Sequence, residues 1–339
     1  MKKISLEKLP LLLSAMAKNE EVYLPVDTKD GAEFKKYQEG DTLSRACNTN
    51  RSAKDFFFPQ VEDMAAFKVE GKKIEVIDTR KETEDFVIFG VKACDVRSFD
   101  ILDRVFLADP VDTFYKNRRE HSTVVSLACA EPEETCFCQS FGIDAADPAG
   151  DVAAWIVENE MFFVAKTEKG EKLLASVEEF LEDGEEGKVQ EEKEKIASVM
   201  KLLPLQNLPT EKFKAEKLME LFSDPSWAEM SQACLGCGTC TFVCPTCQCF
   251  DIRDFDTGNG IMRYRCWDSC MYSDFTQMAA ENPRHTQLER FRQRFMHKLV
   301  YYPSNNEGIY GCVGCGRCLA KCPINMNIVK VMKKLGGDQ

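Results

Sequence analysis

Eight cysteines form two arrays with the same internal spacing, C-x2-C-x2-C-x3-C, and a proline follows each array. This spacing is typical of proteins that hold two [4Fe-4S] clusters, in which three thiolates bind one cluster and the fourth reaches the other. Glycines between the cysteines let the backbone fold closely around a cluster, and the proline ends the loop. The predicted ligand sets are Cys234, Cys237, Cys240 and Cys322 for the first cluster, and Cys312, Cys315, Cys318 and Cys244 for the second.

Structural zinc is the alternative for these arrays. Zinc sites typically use pairs of C-x2-C separated by a dozen or more residues, rather than four cysteines in one short loop. The repetition of the array disfavours zinc further, because both copies would have to depart from that pattern in the same way.

Four further cysteines lie near the ends of two predicted strands: Cys94, Cys129, Cys136 and Cys138. The ends of neighbouring strands in an α/β sheet meet at one edge, where ligands usually bind. We therefore expect these four thiolates to hold a third [4Fe-4S] cluster, with zinc and unligated buried thiols as the alternatives. Asp95 follows Cys94 and is predicted to cap a helix rather than to supply an oxygen ligand.

A last group of cysteines follows the first array along the chain: Cys247, Cys249, Cys266 and Cys270. Three roles are open for these thiols, namely a fourth metal site, a reactive redox pair, or a sulfur-rich lining that tunes the neighbouring cluster. The one remaining cysteine, Cys47, stands alone and is expected to be a small buried hydrophobic residue.

Residues 1–205 show the alternating strand and helix patterns of an α/β domain. A helix is predicted after Asp95, an amphipathic helix at the N-terminus, and a solvated helical hairpin over the acidic segment 178–195. Pro204 and Pro209 predict a linker. The predicted strands are residues 74–78, 85–91, 122–129 and 161–166.

Residues 206–339 carry both cysteine arrays. Residues 245–311 separate the arrays, which is far more than a compact small ferredoxin needs, so an α-helical dicluster domain is favoured. Thr286 and Glu289 predict a capping box at the start of a helix in this insert. One face of that helix is apolar, and the other is expected to be solvated, with compensation of cluster charge as the alternative. The basic residues of the second face are Arg290, Arg292, Arg294 and Lys298. The predicted fold is thus an α/β domain (1–205) followed by an α-helical ferredoxin-type dicluster domain (206–339).

Composition limits the surroundings of these sites. The chain has 339 residues, 44% of them hydrophobic and 29% charged, which is ordinary for a globular protein with two domains. Its formal net charge of -12 disfavours nucleic acid and anionic membranes as main partners. The longest apolar runs are too short for a membrane span or an export signal. Seventeen cysteines without an export signal predict a reducing cytoplasm and iron ligation rather than disulfides.

The cysteine motifs together resemble one protein family. GVKACD, ACAEPEETCFC, CLGCGTCTFVCPTCQCF, WDSC and CVGCGRCLAKCP occur in that order. They are similar to motifs of the iron-sulfur subunit of anaerobic sulfite reductase and of the beta subunit of cytoplasmic nickel-iron sulfhydrogenases. The resemblance implies a non-catalytic electron-transfer subunit that works between a flavoprotein binding NAD(P)H and a separate catalytic reductase or hydrogenase subunit. It also implies that the two arrays are the dicluster ligands and that Cys94, Cys129, Cys136 and Cys138 hold the N-terminal cluster.

The glycine patterns fit that division of labour. The G-x-G strings belong to cluster loops or to a turn, and none opens a helix after a strand, so flavin and nicotinamide are expected to bind on another chain. No residues predict catalysis other than electron transfer, apart from the surplus cysteines. The alternative function is a catalytic enzyme that acts on a disulfide or sulfur substrate at a site-differentiated cluster. A redox sensor is less favoured, because no output domain is evident.

Overall fold

A mixed eight-stranded sheet forms the centre of the N-terminal half in the computed structural model, which describes residues 1–80 and 83–337. Its strands are β1 (Lys2–Ser5), β2 (Glu21–Thr28), β3 (Gly31–Lys36), β6 (Phe86–Val91), β7 (Ser122–Leu127), β8 (Val152–Val157), β9 (Glu160–Ala165) and β10 (Glu182–Asp183). The spatial order is β10-β1-β9-β8-β7-β6-β2-β3. Strands β2, β6, β7 and β8 are parallel neighbours, and the other pairs are antiparallel.

Helices cover both faces of this sheet, which explains why its central strand β6 is apolar throughout. These elements are α1 (Leu9–Met16), α2 (Ala93–Phe106), α3 (Thr113–His121), α4 (Glu168–Ser176) and α5 (Glu186–Leu202). Val87 and Phe89 pack with α1 and α4 on one face, while Phe86 and Ile88 pack with α2 on the other. Helix α5 packs on the sheet next to Trp155 of β8.

The predicted strands are confirmed in position, with one difference of placement. Three of them correspond to β6, β7 and β9 of the main sheet. The strand predicted at 74–78 is β5 (Lys73–Asp78), which is exposed along its whole length and belongs to a second, smaller sheet. An apolar alternation alone could not distinguish the two sheets.

Two helix predictions were wrong in detail. The N-terminus begins with strand β1 at the sheet edge, and the helix starts only at Leu9. The acidic segment contains a short turn, β10 and then the single helix α5, not a helical hairpin. One stripe of α5 is buried and consists of Val189, Ile196 and Met200. This stripe packs on the sheet and stabilises a single continuous helix, although the segment is rich in acidic residues.

A four-stranded antiparallel sheet joins the two halves of the chain. It combines a hairpin of the N-terminal half, β4 (Val61–Glu70) and β5, with a hairpin of the insert, β11 (Phe250–Asp256) and β12 (Ile261–Trp267). Strand β12 pairs with β4, so the order is β11-β12-β4-β5. The domain boundary at residue 205 remains a prediction. The pairing of β12 with β4 connects the segments before and after this residue.

Helices dominate the rest of the C-terminal half. The capping box at Thr286 and Glu289 is confirmed, and a π-helical turn at His297–Tyr301 continues the helix that it starts. A separate core forms here around Trp227, Phe291 and Phe295. The helices are α6 (Leu218–Phe222), α7 (Ser226–Gln232), α8 (Thr239–Phe242), α9 (Gln287–Met296), α10 (Tyr302–Asn305), α11 (Arg317–Ala320) and α12 (Ile328–Gly336).

A buried charge network holds the two hairpins together. Arg265 of β12 is 1% exposed, and its Nε donates to Glu62 Oε2 of β4 at 2.6 Å. Arg265 also binds Asp112, and Glu62 binds Arg118. Each charge is therefore compensated inside the junction, and loss of one partner would leave another charge unpaired.

Substitution Glu62→Ala should therefore lower the free energy of unfolding by about 3–5 kcal/mol, because Arg265 stays buried with less compensation. Anaerobic denaturant titration measures this change. Glu75→Ala on exposed β5 is the control and should change stability by less than about 0.5 kcal/mol. Equal losses in the two variants would contradict the role of the network.

Candidate metal centres

The second cysteine array encloses a small cavity. The loop that carries Cys312 and Cys315 leads into α11, which carries Cys318, and positive φ angles of 61° and 80° at Gly314 and Gly316 allow this tight path. The last cysteine of the first array faces the same space. Four thiols thus line the cavity, those of Cys244, Cys312, Cys315 and Cys318, which is the set that the spacing predicts for the second cluster.

The donors around this cavity fit a [4Fe-4S] cluster. Burial raises the pKa of Cys312 to about 12 and that of Cys318 to about 11, so the thiolates need a bound cation for their stability. Arg294 also lines the cavity. Its Nε and Nη1 atoms are buried and have no hydrogen-bond partner among the described residues. The thiolates and sulfides of a cluster would be suitable acceptors for these two donors.

A second buried cation lies beside the same cysteines. Lys298 is 5% exposed, and its Nζ donates to Thr246 Oγ1 at 2.7 Å and to the Gly311 carbonyl at 2.9 Å. The Thr246 hydroxyl lies 3.3 Å from Cys244 Sγ. Despite burial, the negative charges of Cys244 and neighbouring thiolates raise the pKa of Lys298, so the ammonium stays charged.

The basic face of α9 therefore divides into two parts. Arg294 and Lys298 are buried at the cysteines, and the expectation of a solvated face is wrong for both. Arg290 donates to the carbonyls of residues 284 and 285, and Arg292 stacks on Phe222. The alternative expectation, that this face compensates cluster charge, fits Arg294 and Lys298 but not Arg290 and Arg292.

The first array has the same local structure as the second. Gly238 has a φ of 73° and precedes the short helix α8, which carries Cys240 and contacts α11. Cys234 Sγ accepts hydrogen bonds from the Gly236 N–H and from Gln287 Nε2, both at 3.4 Å. Cys234 and Cys240 both pack against the core of the C-terminal half.

The other two predicted ligands of the first cluster make local contacts. Cys237 is exposed, and its thiol lies 3.4 Å from Thr239 Oγ1. The Cys322 thiol donates to the Met326 carbonyl at 3.4 Å. The described contacts do not join these two thiols to Cys234 and Cys240, so this ligand set remains a prediction.

The four predicted N-terminal ligands converge at one end of the main sheet. Cys94 lies in the first turn of α2, Cys129 follows β7, and Cys136 and Cys138 lie in the next loop. Cys129, Cys136 and Cys138 belong to one buried cluster of side chains, and the half-buried Cys94 packs against it. Burial raises the pKa of Cys94 and Cys138, and the contact with Cys47, together with burial, raises the pKa of Cys129 and Cys136, so here too stable thiolates need a bound cation.

Cys47 joins this group, which the sequence did not predict. Its Sγ lies 3.5 Å from Cys136 Sγ and 3.9 Å from Cys129 Sγ. Cys47 is buried, as expected, but it does not stand alone. Cys47 lies in an irregular segment without a motif, and only the fold brings it to the other thiols.

Loops of the two halves meet between the N-terminal thiols and the second array. The Phe137 N–H donates to the Gly314 carbonyl at 2.8 Å. A Cβ atom at Gly314 would lie 2.5 Å from the Phe137 carbonyl, and one at Gly316 would lie 2.6 Å from Thr135 Oγ1. Only glycine permits this approach. Asn48, beside Cys47, adds a 2.9 Å hydrogen bond to the Cys315 carbonyl.

An ion pair at the same junction corrects the role of Asp95. Arg317 lies within the second array, is 4% exposed, and donates through both terminal nitrogens to Asp95 at 2.5 and 2.8 Å. It also donates to the Thr49 carbonyl. Asp95 therefore neither caps α2, which has Lys92 at its N-cap, nor is free to bind a metal.

The four cysteines after the first array separate into two kinds. Cys270 lowers the pKa of the Cys249 thiol, and Cys244 raises the pKa of the Cys247 thiol. Cys266 stands apart on β12, where its charged neighbours are Arg253, Asp251 and Asp268 rather than thiols. The structure therefore brings three of the four to the vicinity of the arrays and leaves Cys266 outside.

No three Cys, His, Asp or Glu side chains within residues 1–80 and 83–337 are arranged to hold a single metal ion. In the same part of the chain, no helix has the length and apolar character needed to cross a membrane.

Comparisons with known proteins point to iron-sulfur proteins. Residues 233–326 match the 4Fe-4S dicluster domain family. The chain is 31% identical to sulfhydrogenase 2 subunit beta of Pyrococcus furiosus over 339 aligned residues, which cover 98% of this chain and 97% of that protein. No solved structure matches the chain significantly.

The close contact of Gly314 with the Phe137 backbone predicts that a methyl group added at this glycine lowers stability. Gly314→Ala should destabilise the protein more than Gly71→Ala, although the φ angles of the two glycines are 61° and 62°. Both variants carry the left-handed backbone cost of about 1–2 kcal/mol. Only the methyl group added in the first variant would meet another backbone, at a further cost of about 1–3 kcal/mol.

Thermal unfolding and iron content under anaerobic conditions measure this difference. Nothing lies within 4 Å of a Cβ at Gly71, so this control isolates the backbone cost. Identical behaviour of the two variants would show that the loops can separate freely.

Proposed function

Because the chain belongs to the iron-sulfur beta-subunit family of the sulfhydrogenase and sulfite reductase type, we propose that it relays single electrons through three thiol-bound [4Fe-4S] sites between two other subunits. It is an iron-sulfur electron-transfer subunit of an oxidoreductase. The finer proposal concerns the number of cluster sites, their order in space and which of them meet the partner subunits. When bound, such clusters accept and donate one electron at a time.

The close contact of the two cysteine-bearing loops is the observation that carries this proposal. The hydrogen bond from the Phe137 N–H to the Gly314 carbonyl joins the loop that carries Cys136 and Cys138 to the loop of the second array. No side chain lies between the two backbones at this point. The contact of α8 with α11 links the second array to the first. The proposed order is therefore N-terminal site, second array, first array.

Each site would use the ligands expected from the sequence. Cys94, Cys129, Cys136 and Cys138 would hold the N-terminal cluster, and the two arrays would hold one cluster each, with Cys244 and Cys322 exchanged between them. Cys47, as a fifth thiol, would contact two ligand sulfurs without being a ligand. Such sulfur contacts adjust the electronic properties of a cluster.

The first array is proposed as the end that meets a partner. Cys237 is exposed, whereas the cysteines that line the cavity of the second array are buried or half-buried. Leu235, close to Cys237, is 65% exposed. The opposite partner would meet the N-terminal site. By analogy with the relative, whose name makes it a sulfhydrogenase subunit, we propose a flavoprotein and a catalytic hydrogenase or reductase as these two partners.

The alternative function, catalysis on a disulfide or sulfur substrate, has less support. It requires a site-differentiated cluster with thiols of its own, and Cys266 lies apart from the other surplus cysteines. Whether sulfite, sulfur or protons are the final acceptor depends on the catalytic partner.

Iron analysis tests the number of sites. The anaerobically prepared chain should contain about twelve iron and twelve sulfide ions, since each cube holds four of each. The double variant Cys136→Ser/Cys138→Ser should contain about eight irons and keep the signals of the other two clusters in electron paramagnetic resonance (EPR). Cys266→Ser should keep about twelve. About eight irons in the unaltered chain would contradict the N-terminal site.

Substitution of a buried cation tests the proposed position of the array clusters. Arg294→Gln should lower the reduction potential of at least one array cluster by on the order of 100 mV, because the added electron loses a nearby positive charge. EPR-monitored redox titration measures the shift. Arg292→Gln on the same helix is the matched control, since Arg292 stacks on Phe222 away from the thiols. An unchanged potential in Arg294→Gln would contradict the proposed position of the cluster.

A further inference from the structure

The N-terminal site has one cysteine more than a cluster needs. A [4Fe-4S] cluster is held by four thiolates, one for each iron. Cys47 is the additional thiol, and it lies in the same buried cluster of side chains as the proposed ligands. These ligands are Cys94, Cys129, Cys136 and Cys138. The fifth thiol therefore has no iron of its own when the four ligands are bound.

Cys47 lies directly against two of the four proposed ligands. Its Sγ is 3.5 Å from Cys136 Sγ and 3.9 Å from Cys129 Sγ. All three side chains are buried. Among the described residues, the Cys47 sulfur makes no such contact with Cys94 or Cys138 within hydrogen-bonding geometry. The fifth thiol is thus a neighbour of two specific ligands.

Hydrogen bonds to the second array hold the segment that carries Cys47. The Asn48 side chain donates to the Cys315 carbonyl at 2.9 Å. Arg317 donates to the Thr49 carbonyl at 2.9 Å and to the Thr49 hydroxyl at 3.1 Å. Thr49 also forms a parallel bridge with β3. The fold therefore fixes Cys47 in its place beside the ligands.

A hydrogen-bond donor faces the Cys47 sulfur. Asn48 Nδ2 lies 3.7 Å from Cys47 Sγ, in addition to its bond to the Cys315 carbonyl. A donor at this position favours the charged thiolate, which is the form of cysteine that binds metals. A cysteine that only fills space in an apolar core would need no such donor.

We propose that Cys47 is a reserve ligand of the N-terminal cluster, which takes the place of Cys136 or Cys129 at an iron. In this exchange the Cys47 sulfur loses its proton and forms an iron–sulfur bond. The iron–sulfur bond of the replaced cysteine breaks, and its sulfur takes up the proton. No electron is gained or lost. The inference rests on the proposed function for the presence of the N-terminal cluster.

The exchange requires little movement, because the incoming and outgoing sulfurs are already in contact. Loss of one iron–sulfur bond to Cys136 or Cys129 would then not release the cluster. Cys94 and Cys138 have no reserve of this kind among the described contacts, so the protection is confined to one side of the site.

Iron content of alanine variants tests the exchange in the full-length protein under anaerobic conditions. Alanine leaves no donor atom in place of the thiol. Cys136→Ala, Cys129→Ala and Cys47→Ala should each keep about twelve irons, because four thiols remain in suitable positions. The double variant Cys47→Ala/Cys136→Ala should keep about eight. Cys94→Ala is the matched control, since it removes one ligand that Cys47 does not contact, and it should also keep about eight.

Three results of this experiment would overturn the inference. About eight irons in Cys136→Ala and Cys129→Ala would show that Cys47 does not replace a lost ligand. About eight in Cys47→Ala would make Cys47 a permanent ligand. About twelve in the double variant or in Cys94→Ala would show that contact with Cys47 does not decide whether the cluster is kept. None of these results changes the iron count of the unaltered chain, which tests the proposed function separately.

Release of iron to a chelator measures the reserve role without loss of a proposed ligand. The N-terminal cluster of Cys47→Ala should lose iron several-fold faster than that of the unaltered chain, because a broken bond to Cys136 or Cys129 is no longer replaced. Cys266→Ala is the control, since this half-buried thiol lies on β12, and it should release iron at the unaltered rate. Equal rates in all three proteins would contradict the reserve role.

Discussion

The contact between loop 135–138 and loop 312–318 is the constraint on which the rest of the structure depends. Backbone meets backbone there, because Gly314 and Gly316 have no side chain to separate the loops. Electron transfer requires short distances, and side chains at these positions would move the N-terminal thiols away from the second array. The fold of each half can be understood as a support for its side of this contact: the parallel strands of a mixed sheet on one side, and a short helix after a left-handed glycine on the other.

Compensation of negative charge is the second requirement. The chain carries a formal net charge of -12, and thiolate-bound clusters add further negative charge. Three of the buried cations stand beside cysteines of the two arrays, namely Arg294, Lys298 and Arg317. Each is held by carbonyl or carboxylate oxygens, so the charges are fixed in place before any electron arrives. Fixed charges stabilise an added electron without a large rearrangement of their surroundings. The net negative charge of the chain therefore does not describe the surroundings of the cysteines, where these cations compensate negative charge.

Local patterns predicted much of this arrangement. Cysteine spacing predicted which four thiols line the cavity of the second array. Cys312, Cys315 and Cys318 lie in one tight loop, and the ferredoxin-type pattern assigns Cys244 to them from the distant first array. The capping box predicted the start of α9, and apolar runs predicted the strands, because these signals also act over a few residues.

Long-range contacts were not predictable in the same way. Cys47 contacts Cys129 and Cys136 from a segment without a motif, so its spacing along the chain carries no information about its neighbours. Arg294 and Lys298 followed the pattern of a solvated face, but a site with many thiolates makes burial of a cation favourable. The small sheet was missed because its hairpins come from distant parts of the chain and pair only in the folded protein.

EPR spectroscopy of the fully reduced full-length chain tests the central claim most directly. If the three sets of cysteines hold clusters that lie close together in the proposed order, the unpaired spins of the reduced clusters must interact. The spectrum should then be broadened and split, and it should become simpler when the N-terminal thiols are replaced by serine. A spectrum that is the sum of independent clusters, unaffected by that replacement, would contradict the proposed contact of the two halves as an electron path.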